Sequence, residues 1–321
     1  MKNRNKYRNR NRNNSMKKKI LILGGGISRE RLISLETAKS VFKELKKKNY
    51  AVKFVSQTGN LIKNIKNFKP NVVFNALHGQ FGEDGYIQTI LESQRVKYTH
   101  SGVIASFIAM NKEISKKLYI KNKILTPKYF KFKFKDNKVK NNIIIKAQKK
   151  LKFPVVIKPI NEGSSVNVYI CNKKNFIQNL KKLTLYKEIL IEQFIPGREI
   201  QVAILGKRKL GAIELKPKRK FYDYEAKYNE KAKTKHIIPV NLSNENLQKV
   251  MNIALKAHKL IGCRGVTRSD FRFYKNKFFL LETNTQPGMM KLSLVPEIAN
   301  YIGMKFIDLI EWILKDASRN R

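Results

Sequence analysis

Two acidic residues on neighbouring predicted strands could hold a divalent cation near the end of the chain. The segment GVTRSDFRFYKNKFFLLETNTQPG (residues 265–288) has two β-rich runs around Lys275-Asn276-Lys277, which predicts a hairpin with a three-residue loop. In that register Asp270 lies opposite Glu282. Cross-strand partners are ~4.5–5.5 Å apart at Cβ, where two like charges destabilise the pair and a cation would stabilise it.

An amide and an arginine extend this predicted site. Asn284 follows Glu282 by two residues and so shares its face of the strand, and Arg268 is predicted to lie opposite Asn284. A ligand set made only of oxygens suits Mg²⁺ or Mn²⁺ rather than zinc. A charged hairpin that faces solvent would show the same periodicity, so the residues alone leave both interpretations open.

A lysine and a loop of small residues could bind phosphate in the middle of the chain. Lys158 ends an apolar run, and Glu162-Gly163-Ser164-Ser165 follow it. Small residues let backbone N–H groups approach a phosphate, and the lysine adds a positive charge. The sequence has no Walker A pattern, GxxxxGK[ST], and a glycine-rich hairpin turn explains the loop nearly as well.

Three more segments carry polar groups where α/β proteins bind ligands. Gly24-x-Gly26 follows an apolar run, but Arg29 occupies the third glycine position of a dinucleotide fingerprint, which argues against that interpretation. His78 follows another apolar run, where a ligand contact and a core histidine are both open. The segment FYDYEAKY (residues 221–228) interleaves aromatic and charged residues, which fits a substrate lid or a nucleic-acid surface.

The elements that must position these residues predict three domains after a basic tail. Residues 1–15 are Asn/Arg repeats without apolar periodicity, which predicts disorder. Residues 16–100 alternate strands with a helical pattern, as in an open α/β domain with a parallel sheet. Residues 101–193 predict a small α+β domain and residues 194–321 a larger one.

Hydrophobic periodicity places the individual elements. Strands are predicted at 20–23, 52–55, 71–77, 96–99, 153–158, 166–170, 189–192, 199–205, 210–215, 266–274 and 277–282, helices after the first strand and near 245–261 and 304–315, and a Lys-rich connection at 131–142.

Composition limits the possible partners. The 321 residues carry 68 Lys and Arg against 23 Asp and Glu, a formal net charge of +45. Such a charge could bind nucleic acid through counterion release. Lysine is, however, spread along the whole chain with abundant Asn and Ile, and no zinc-finger, RNA-recognition or helix-turn-helix signature accompanies it. We therefore interpret the lysines as solvated surface positions and expect no nucleic-acid partner.

Apolar runs and cysteines predict a cytoplasmic protein. No apolar run approaches the ~20 residues needed to cross a bilayer, and no apolar signal segment follows the N-terminus. Cys171 and Cys263 are far apart and have no metal ligands beside them, so both are expected to be reduced core thiols.

Eight segments, in order, resemble the D-alanine–D-alanine ligase family of the three-domain ATP-grasp fold. They are 24–35 (GGGISRERLISL), 76–85 (ALHGQFGEDG), 101–112 (SGVIASFIAMNK), 156–166 (VIKPINEGSSV), 191–205 (IEQFIPGREIQVAIL), 221–228 (FYDYEAKY), 262–270 (GCRGVTRSD) and 281–296 (LETNTQPGMMKLSLVP). One segment could match by accident, but all of them in order are specific. The resemblance implies a homodimeric enzyme that uses ATP to join two D-alanine molecules for cell-wall synthesis.

The resemblance also implies the ligands of ATP and of two Mg²⁺ (or Mn²⁺) ions. The implied metal ligands are Asp270, Glu282 and Asn284, in agreement with the hairpin argument. The implied ATP contacts are Lys112, Lys158 and Lys227 at the phosphates, Glu192, Phe194 and Ile195 at the adenine, and Glu199 at the ribose.

The D-alanine contacts follow from the same resemblance. They are Glu30 to the first ammonium group, His78 to the first carboxylate, Arg268 and the Gly288 N–H to the tetrahedral oxyanion, Ser293 and Leu294 to the second carboxylate, and Ser164 and Tyr228 to Glu30. A tyrosine at position 228 resembles the dipeptide-forming enzymes. The alternatives are relatives that form a D-alanyl-D-lactate ester and other ATP-grasp carboxylate–amine ligases.

The chain departs from the family pattern at several positions. Asn167 replaces a common glycine, Gln286 replaces a serine, and Arg29 and Leu32 vary in the first loop. None of these changes removes an implied ligand, but Asn167 could restrict the phosphate loop. Asparagine tolerates positive φ better than most residues, so the change is compatible with the fold.

Overall fold

The computed structural model describes residues 18–56, 60–134, 142–217, 234–291 and 293–320. The predicted tail (residues 1–15) and the segment 221–228, with Lys227 and Tyr228, lie outside the described residues. Among the described residues no helix is both long and apolar enough to span a membrane.

The first sheet is parallel and has three strands. Its strands are β1 (Lys19–Gly24), β2 (Ala51–Ser56) and β3 (Val72–Asn75), in the order β2-β1-β3, with helices α1 (Arg31–Lys47), α2 (Leu61–Phe68) and α3 (Tyr86–Ser93). The apolar run of β1 is almost fully buried, as a parallel strand covered on both faces requires. The carboxyl ends of the strands meet at one edge, where Glu30 and His78 follow.

The predicted strand at 96–99 is wrong. Tyr98 forms only isolated bridges to Val73 and Ser318. The backbone has positive φ at Arg95 and His100, so an extended conformation cannot continue on either side.

The second sheet is antiparallel and has its own core. Its strands are β4 (Tyr129–Lys133), β5 (Val155–Pro159), β6 (Tyr169–Cys171) and β7 (Glu188–Gln193), in the order β4-β7-β5-β6, with helices α6 (Asn142–Leu151) and α7 (Phe176–Lys181). The core of this sheet consists of buried residues between positions 134 and 191. We call this part the four-stranded unit.

Two predictions for the four-stranded unit need correction. The connection predicted at 131–142 includes the end of β4, because Phe132 packs against the core of the unit. The strand predicted at 166–170 begins only at Tyr169, because Ser164, Ser165 and Asn167 have positive φ and form a turn.

The third sheet is the largest. Its strands are β8 (Arg198–Leu205), β9 (Arg208–Lys216), β10 (Lys235–Ile237), β11 (Val266–Tyr274) and β12 (Lys277–Asn284), in the order β10-β9-β8-β11-β12. The helices of this region are α8 (Asn244–Ile261), α9 (Leu294–Tyr301) and α10 (Phe306–Asp316). Helices α4 (Val103–Met110) and α5 (Lys112–Lys121) pack into the core of this sheet.

One hydrophobic cluster joins the first sheet to the third. Ile20 and Ile22 of β1 and Val41 of α1 share a core with Leu309 and Ile313 of α10. This shared core holds the carboxyl edge of the first sheet beside the β11–β12 hairpin.

The predicted register of that hairpin is confirmed, but the predicted loop is wrong. Asp270 pairs with Glu282, and Arg268 pairs with Asn284. The loop has two residues rather than three: Tyr274 pairs with Lys277, and Lys275 and Asn276 have the positive φ values of a type I′ turn. A bulge between Asp270 and Phe271 adds the missing residue and restores the pairing.

A buried histidine in α8 should make the fold sensitive to acid. Burial lowers the pKa of His258 to about 4, and its Nδ1 lies 2.8 Å from Thr267 Oγ1. The unfolded chain would bind the proton at about pH 6.5. The stability contributed by neutral His258 is therefore complete above pH 6.5 and is lost as the pH falls towards 4.

We expect His258→Gln to reduce this acid sensitivity. Between pH 7.5 and 4.5 the free energy of unfolding of the wild type should fall by about 2 kcal/mol more than that of the variant. Urea unfolding at the two pH values measures this. Equal losses in both proteins would contradict the assignment to His258.

Candidate active site

Two cavities lie side by side between the three sheets. The first is lined by Glu30, His78, Arg268, Asn284, Gly288, Ser293 and Leu294, among others. The second is lined by Lys158, Glu192, Phe194, Ile195, Glu199 and Asp270, among others. Lys112, Glu162 and Glu282 line both cavities and form the wall between them. The structure thus brings together every described residue that the resemblance implied as a contact of ATP, metal or D-alanine.

Glu30 presents a carboxylate to the first cavity from the start of α1. Ser164 Oγ donates a hydrogen bond to Glu30 Oε1 across the gap to the four-stranded unit. A Cβ at Gly79 or Gly163 would lie 2.5 or 2.8 Å from Glu30 Oε2, so a side chain at either position would displace the Glu30 carboxylate. A buried carboxylate with this access can bind an ammonium group.

His78 is held on both ring nitrogens. Its Nδ1 lies 2.9 Å from Glu83 Oε1, and its Nε2 lies 3.1 Å from Thr37 Oγ1. Burial lowers the pKa of His78, but the hydrogen bond to Glu83 and the nearby carboxylates outweigh it and raise the pKa above its ordinary value. The ring therefore has a fixed orientation beside the first cavity.

The hairpin carboxylates face cations of the protein itself. Arg268 donates from Nε to Asp270 Oδ1 (2.8 Å) and from Nη2 to Asp270 Oδ2 (3.0 Å). Lys112 Nζ lies 3.4 Å from Glu282 Oε2. Asn284 Oδ1 accepts from the Gln286 N–H at 2.7 Å and keeps a second lone pair.

These three residues fit a divalent cation. The described residues contain no group of three His, Cys, Asp or Glu that could hold a metal ion. Two carboxylates and one amide oxygen are instead the hard donors that Mg²⁺ prefers, and Mg²⁺ completes its shell with water and substrate phosphates. The donor types of the predicted site therefore fit Mg²⁺ or Mn²⁺.

A buried cluster of charges lies at the second cavity. Glu192 Oε1 lies 2.5 Å from Lys158 Nζ, and Glu192 Oε2 lies 2.9 Å from Lys116 Nζ. Burial would raise the pKa of Glu192, but the two ammonium groups hold it below its usual range. Burial lowers the pKa of Lys116 to about 8, which still leaves it charged at neutral pH.

Arg272 holds the opposite side of the second cavity. It donates from Nη1 to Glu199 Oε2 (3.1 Å) and from Nε to the Ile195 carbonyl (3.0 Å). Its guanidinium lies 5.9 Å from the centroid of the Phe194 ring. These contacts fix an acidic group and a stretch of backbone next to each other at the second cavity.

The far end of the first cavity is the start of α9. Ser293 Oγ accepts from the Met290 N–H at 3.0 Å, and a Cβ at Gly288 would lie 3.1 Å from Ser293 Oγ. Leu294 is the first residue of the helix. A helix N-terminus with a hydroxyl group beside it favours a carboxylate.

Comparison with known proteins agrees with this geometry. The sequence profile described as D-ala D-ala ligase C-terminus matches residues 118–315. The D-alanine–D-alanine ligase of Pelagibacter ubique (strain HTCC1062) is 70% identical over 306 residues, which are 95% of this chain and 100% of that relative. The chain belongs to the D-alanine–D-alanine ligase family.

Other relatives support the same assignment. The D-alanine–D-alanine ligase of Wolbachia pipientis wMel is 41% identical and covers 94% of this chain and 95% of its own length. The crystal structure of the Bacillus anthracis D-alanine–D-alanine ligase complexed with ATP has a TM-score of 0.80 at 27% identity and covers 93% of this chain and 97% of that chain. The predicted ATP-grasp fold is thereby confirmed.

Asn167 stabilises the loop between β5 and β6 in this ligase-family chain. It has φ +55°, and its Nδ2 donates to the Tyr186 hydroxyl at 2.7 Å. Tyr186 OH also lies 3.3 Å from Glu162 Oε1. The residue therefore adopts a left-handed backbone, which asparagine tolerates better than most residues, and adds a hydrogen bond that holds the loop.

Sequence reasoning missed Lys116 and Arg272, although both had a signal. Lys116 follows Lys112 by one helical turn and so lies on the same face of α5. Arg272 follows Arg268 and Asp270 at the period of two that keeps side chains on one face of β11.

Proposed function

We propose that the chain catalyses the ATP-dependent ligation of two D-alanine molecules to D-alanyl-D-alanine, with ADP and phosphate as the other products. The observation that carries this proposal is the wall of Lys112, Glu162 and Glu282, which both cavities share. A nucleotide in the second cavity can extend its phosphates to that wall and meet a carboxylate bound in the first. The identity of the substrate, D-alanine, is inferred from the relatives named D-alanine–D-alanine ligase.

The first step is transfer of a phosphoryl group to the first D-alanine. Glu30 binds its ammonium group, and a carboxylate oxygen attacks the γ-phosphorus of ATP. The new C–O–P linkage is an acyl phosphate, and the bond between the γ-phosphorus and the bridging oxygen breaks to release ADP. Lys112, Lys158 and Lys227 are proposed to neutralise the phosphates, because this reaction depends mainly on positioning and charge.

The second step forms the peptide bond. The neutral amine of the second D-alanine attacks the acyl carbon, and its carboxylate is held by Ser293 and Leu294 at the start of α9. The oxyanion that develops is stabilised by Arg268 and the Gly288 N–H. The C–O bond to phosphate then breaks, and the amine proton leaves with the phosphate.

The proposed metal ligands are Asp270, Glu282 and Asn284. Two Mg²⁺ (or Mn²⁺) ions bound there would supply charge neutralisation at the ATP phosphates. Asp270 lines the second cavity, where the nucleotide would bind. Asn284 lines the first cavity, where D-alanine would bind, and Glu282 lines both. The ligands therefore lie where the phosphates would meet the substrate.

The test of this function is phosphate release from ATP and Mg²⁺ with D-alanine, L-alanine, or D-alanine plus D-lactate. We expect phosphate release with D-alanine alone, matched by dipeptide on a chromatogram, and none with L-alanine. Activity only with another acid and amine would show that the chain is a different ATP-grasp ligase. If the protein binds ATP but releases no phosphate with any of these substrates, the proposal is contradicted.

Tyr228→Phe should relax the choice of second substrate. The tyrosine hydroxyl is proposed to bond to Glu30 with Ser164 and close the site over the amine. Without it we expect the enzyme to accept D-lactate and form the ester as well as the dipeptide. The ratio of the two products from a mixture of D-alanine and D-lactate measures the change, and an unchanged ratio would show that the hydroxyl does not select the substrate.

We also propose a cytoplasmic enzyme that forms a homodimer. Use of ATP and two free, buried cysteines support the compartment. Light scattering coupled to gel filtration would test the dimer, and a monomeric mass at micromolar concentration would contradict it.

A further inference from the structure

The side chain of Gln286 connects two loops that come from different sheets. It lies between Asn284 and Gly288, in the loop that follows β12, and is 2% exposed. Its Nε2 donates to the Leu77 carbonyl, and its Oε1 accepts from Asn75 Nδ2 at 2.8 Å. Its backbone N–H donates to Asn284 Oδ1 at 2.7 Å.

Asn75 completes this connection on the side of the first sheet. It is the last residue of β3 and is fully buried. Its Oδ1 accepts from the Leu77 N–H at 3.1 Å, and its Nδ2 also donates to the Gly82 carbonyl at 3.1 Å. The Asn75 amide thus binds the backbone N–H of Leu77, and the Gln286 amide binds its carbonyl. Leu77 directly precedes His78.

Neither amide lines the cavity, but both support its walls. His78 and Glu83 line the first cavity on one side, and Asn284, Thr285, Pro287 and Gly288 line it on the other. Gln286 and Asn75 lie behind these residues and do not line the cavity themselves. Their hydrogen bonds cross from one wall to the other between residues 211 positions apart in the sequence.

We propose that Gln286 is a positioning residue that sets the distance between the His78 loop and the Gly288 loop through its hydrogen bonds to Leu77 and Asn75. This inference rests on the proposed ligase function. The first D-alanine lies against the His78 loop and its oxyanion against the Gly288 N–H, so the Gln286 amide fixes the spacing of the two groups that contact the reacting carboxyl. Alanine at position 286 would lack the amide that forms both hydrogen bonds.

The test compares Gln286→Ala, Asn75→Ala and the double variant with Gln88→Ala. Gln88 is a matched control, because it is a buried amide that donates to the Gly82 carbonyl at 2.9 Å but forms its hydrogen bond within the N-terminal part of the chain. Gln286→Glu is a second variant of equal size, in which a carboxylate oxygen replaces the donor that faces the Leu77 carbonyl.

We expect Gln286→Ala to lower kcat about 30-fold and to leave the KM for ATP within about twofold, because a misplacement of ~1 Å costs up to about 100-fold in rate. Gln88→Ala should keep kcat within about threefold. The double variant should lose little more than the worse single variant, since both remove the same connection. The proposal would be overturned by a kcat of Gln286→Ala near that of the wild type or by an equal loss of kcat in Gln88→Ala. It would also be overturned if the losses of the two single variants multiplied in the double variant.

Hydrogen exchange separates this inference from the ligase function. In Gln286→Ala and Gln286→Glu, backbone amides in both segments, 76–84 and 285–290, should exchange faster. Of these two segments, Gln88→Ala should affect only 76–84. An unchanged rate at 285–290 would overturn the positioning role even in an active enzyme. If the wild type makes no dipeptide, the proposed function fails, and the exchange pattern still decides whether Gln286 joins the two loops.

Discussion

Asp270→Asn and Glu282→Gln should each reduce turnover at least about a thousandfold. Each change removes a negative charge that the proposed metal ions need, and these ions neutralise charge at the phosphates in the transition state. The two residues are direct partners across the β11–β12 hairpin, so both variants should fail in the same step. The measurement is phosphate release at saturating ATP, D-alanine and Mg²⁺.

The control for these variants is Asp308→Asn, an exposed acidic residue in the first turn of α10. We expect its turnover to stay within about twofold of the wild type, because exposed charges far from a site contribute little to it. Calorimetry with ATP, with and without Mg²⁺, should show that Mg²⁺ strengthens ATP binding to the wild type but not to Asp270→Asn. Near-normal turnover in either hairpin variant would refute the metal assignment.

Arg268→Lys should reduce kcat about 100-fold, which is the size expected when one donor to a developing oxyanion is lost. Lysine keeps the positive charge but cannot reproduce the two parallel hydrogen bonds from Arg268 to Asp270. The displaced charge would then no longer reach the oxyanion in the first cavity. Steady-state kinetics with D-alanine at saturating ATP measures the loss.

Arg272→Lys is the matched control, four residues along the same strand. Arg268 lines the first cavity and Arg272 the second, where it holds Glu199 and the Ile195 carbonyl. We expect Arg272→Lys to raise the KM for ATP about tenfold and to change kcat little. The same loss of kcat in both variants would mean that the strand, not the two sites, was disturbed.

Local patterns in the sequence predicted the elements around the site well. The first sheet, β8, β9 and the hairpin follow from runs of apolar residues with a period of two or from continuous burial. The hairpin register was predicted correctly although the loop length was not, because a two-residue turn with a bulge gives the same pairing as a three-residue loop. The alternative of a charged hairpin that faces solvent is excluded, since Asp270 is 5% exposed.

Contacts across long stretches of chain were beyond sequence reasoning. The pairing of Lys116 with Glu192 depends on how α5 meets β7, and no local pattern records it. The role of Asn167 depends on Tyr186 across the loop, and that of Gln286 on Asn75 and Leu77. The roles proposed for Lys227 and Tyr228, which lie outside the described residues, and the proposed domain boundaries remain predictions.

The separate core of the four-stranded unit has a mechanical consequence. Its apolar residues pack with one another, whereas the first and third sheets share a core. The bonds described here from the unit to the rest of the site are polar, such as Ser164 to Glu30, the Glu162 carbonyl to Lys112 and Glu192 to Lys116. Swinging the unit outward would exchange these bonds for bonds to water and leave both hydrophobic cores intact, so a hinge movement would open this side of the site without partial unfolding.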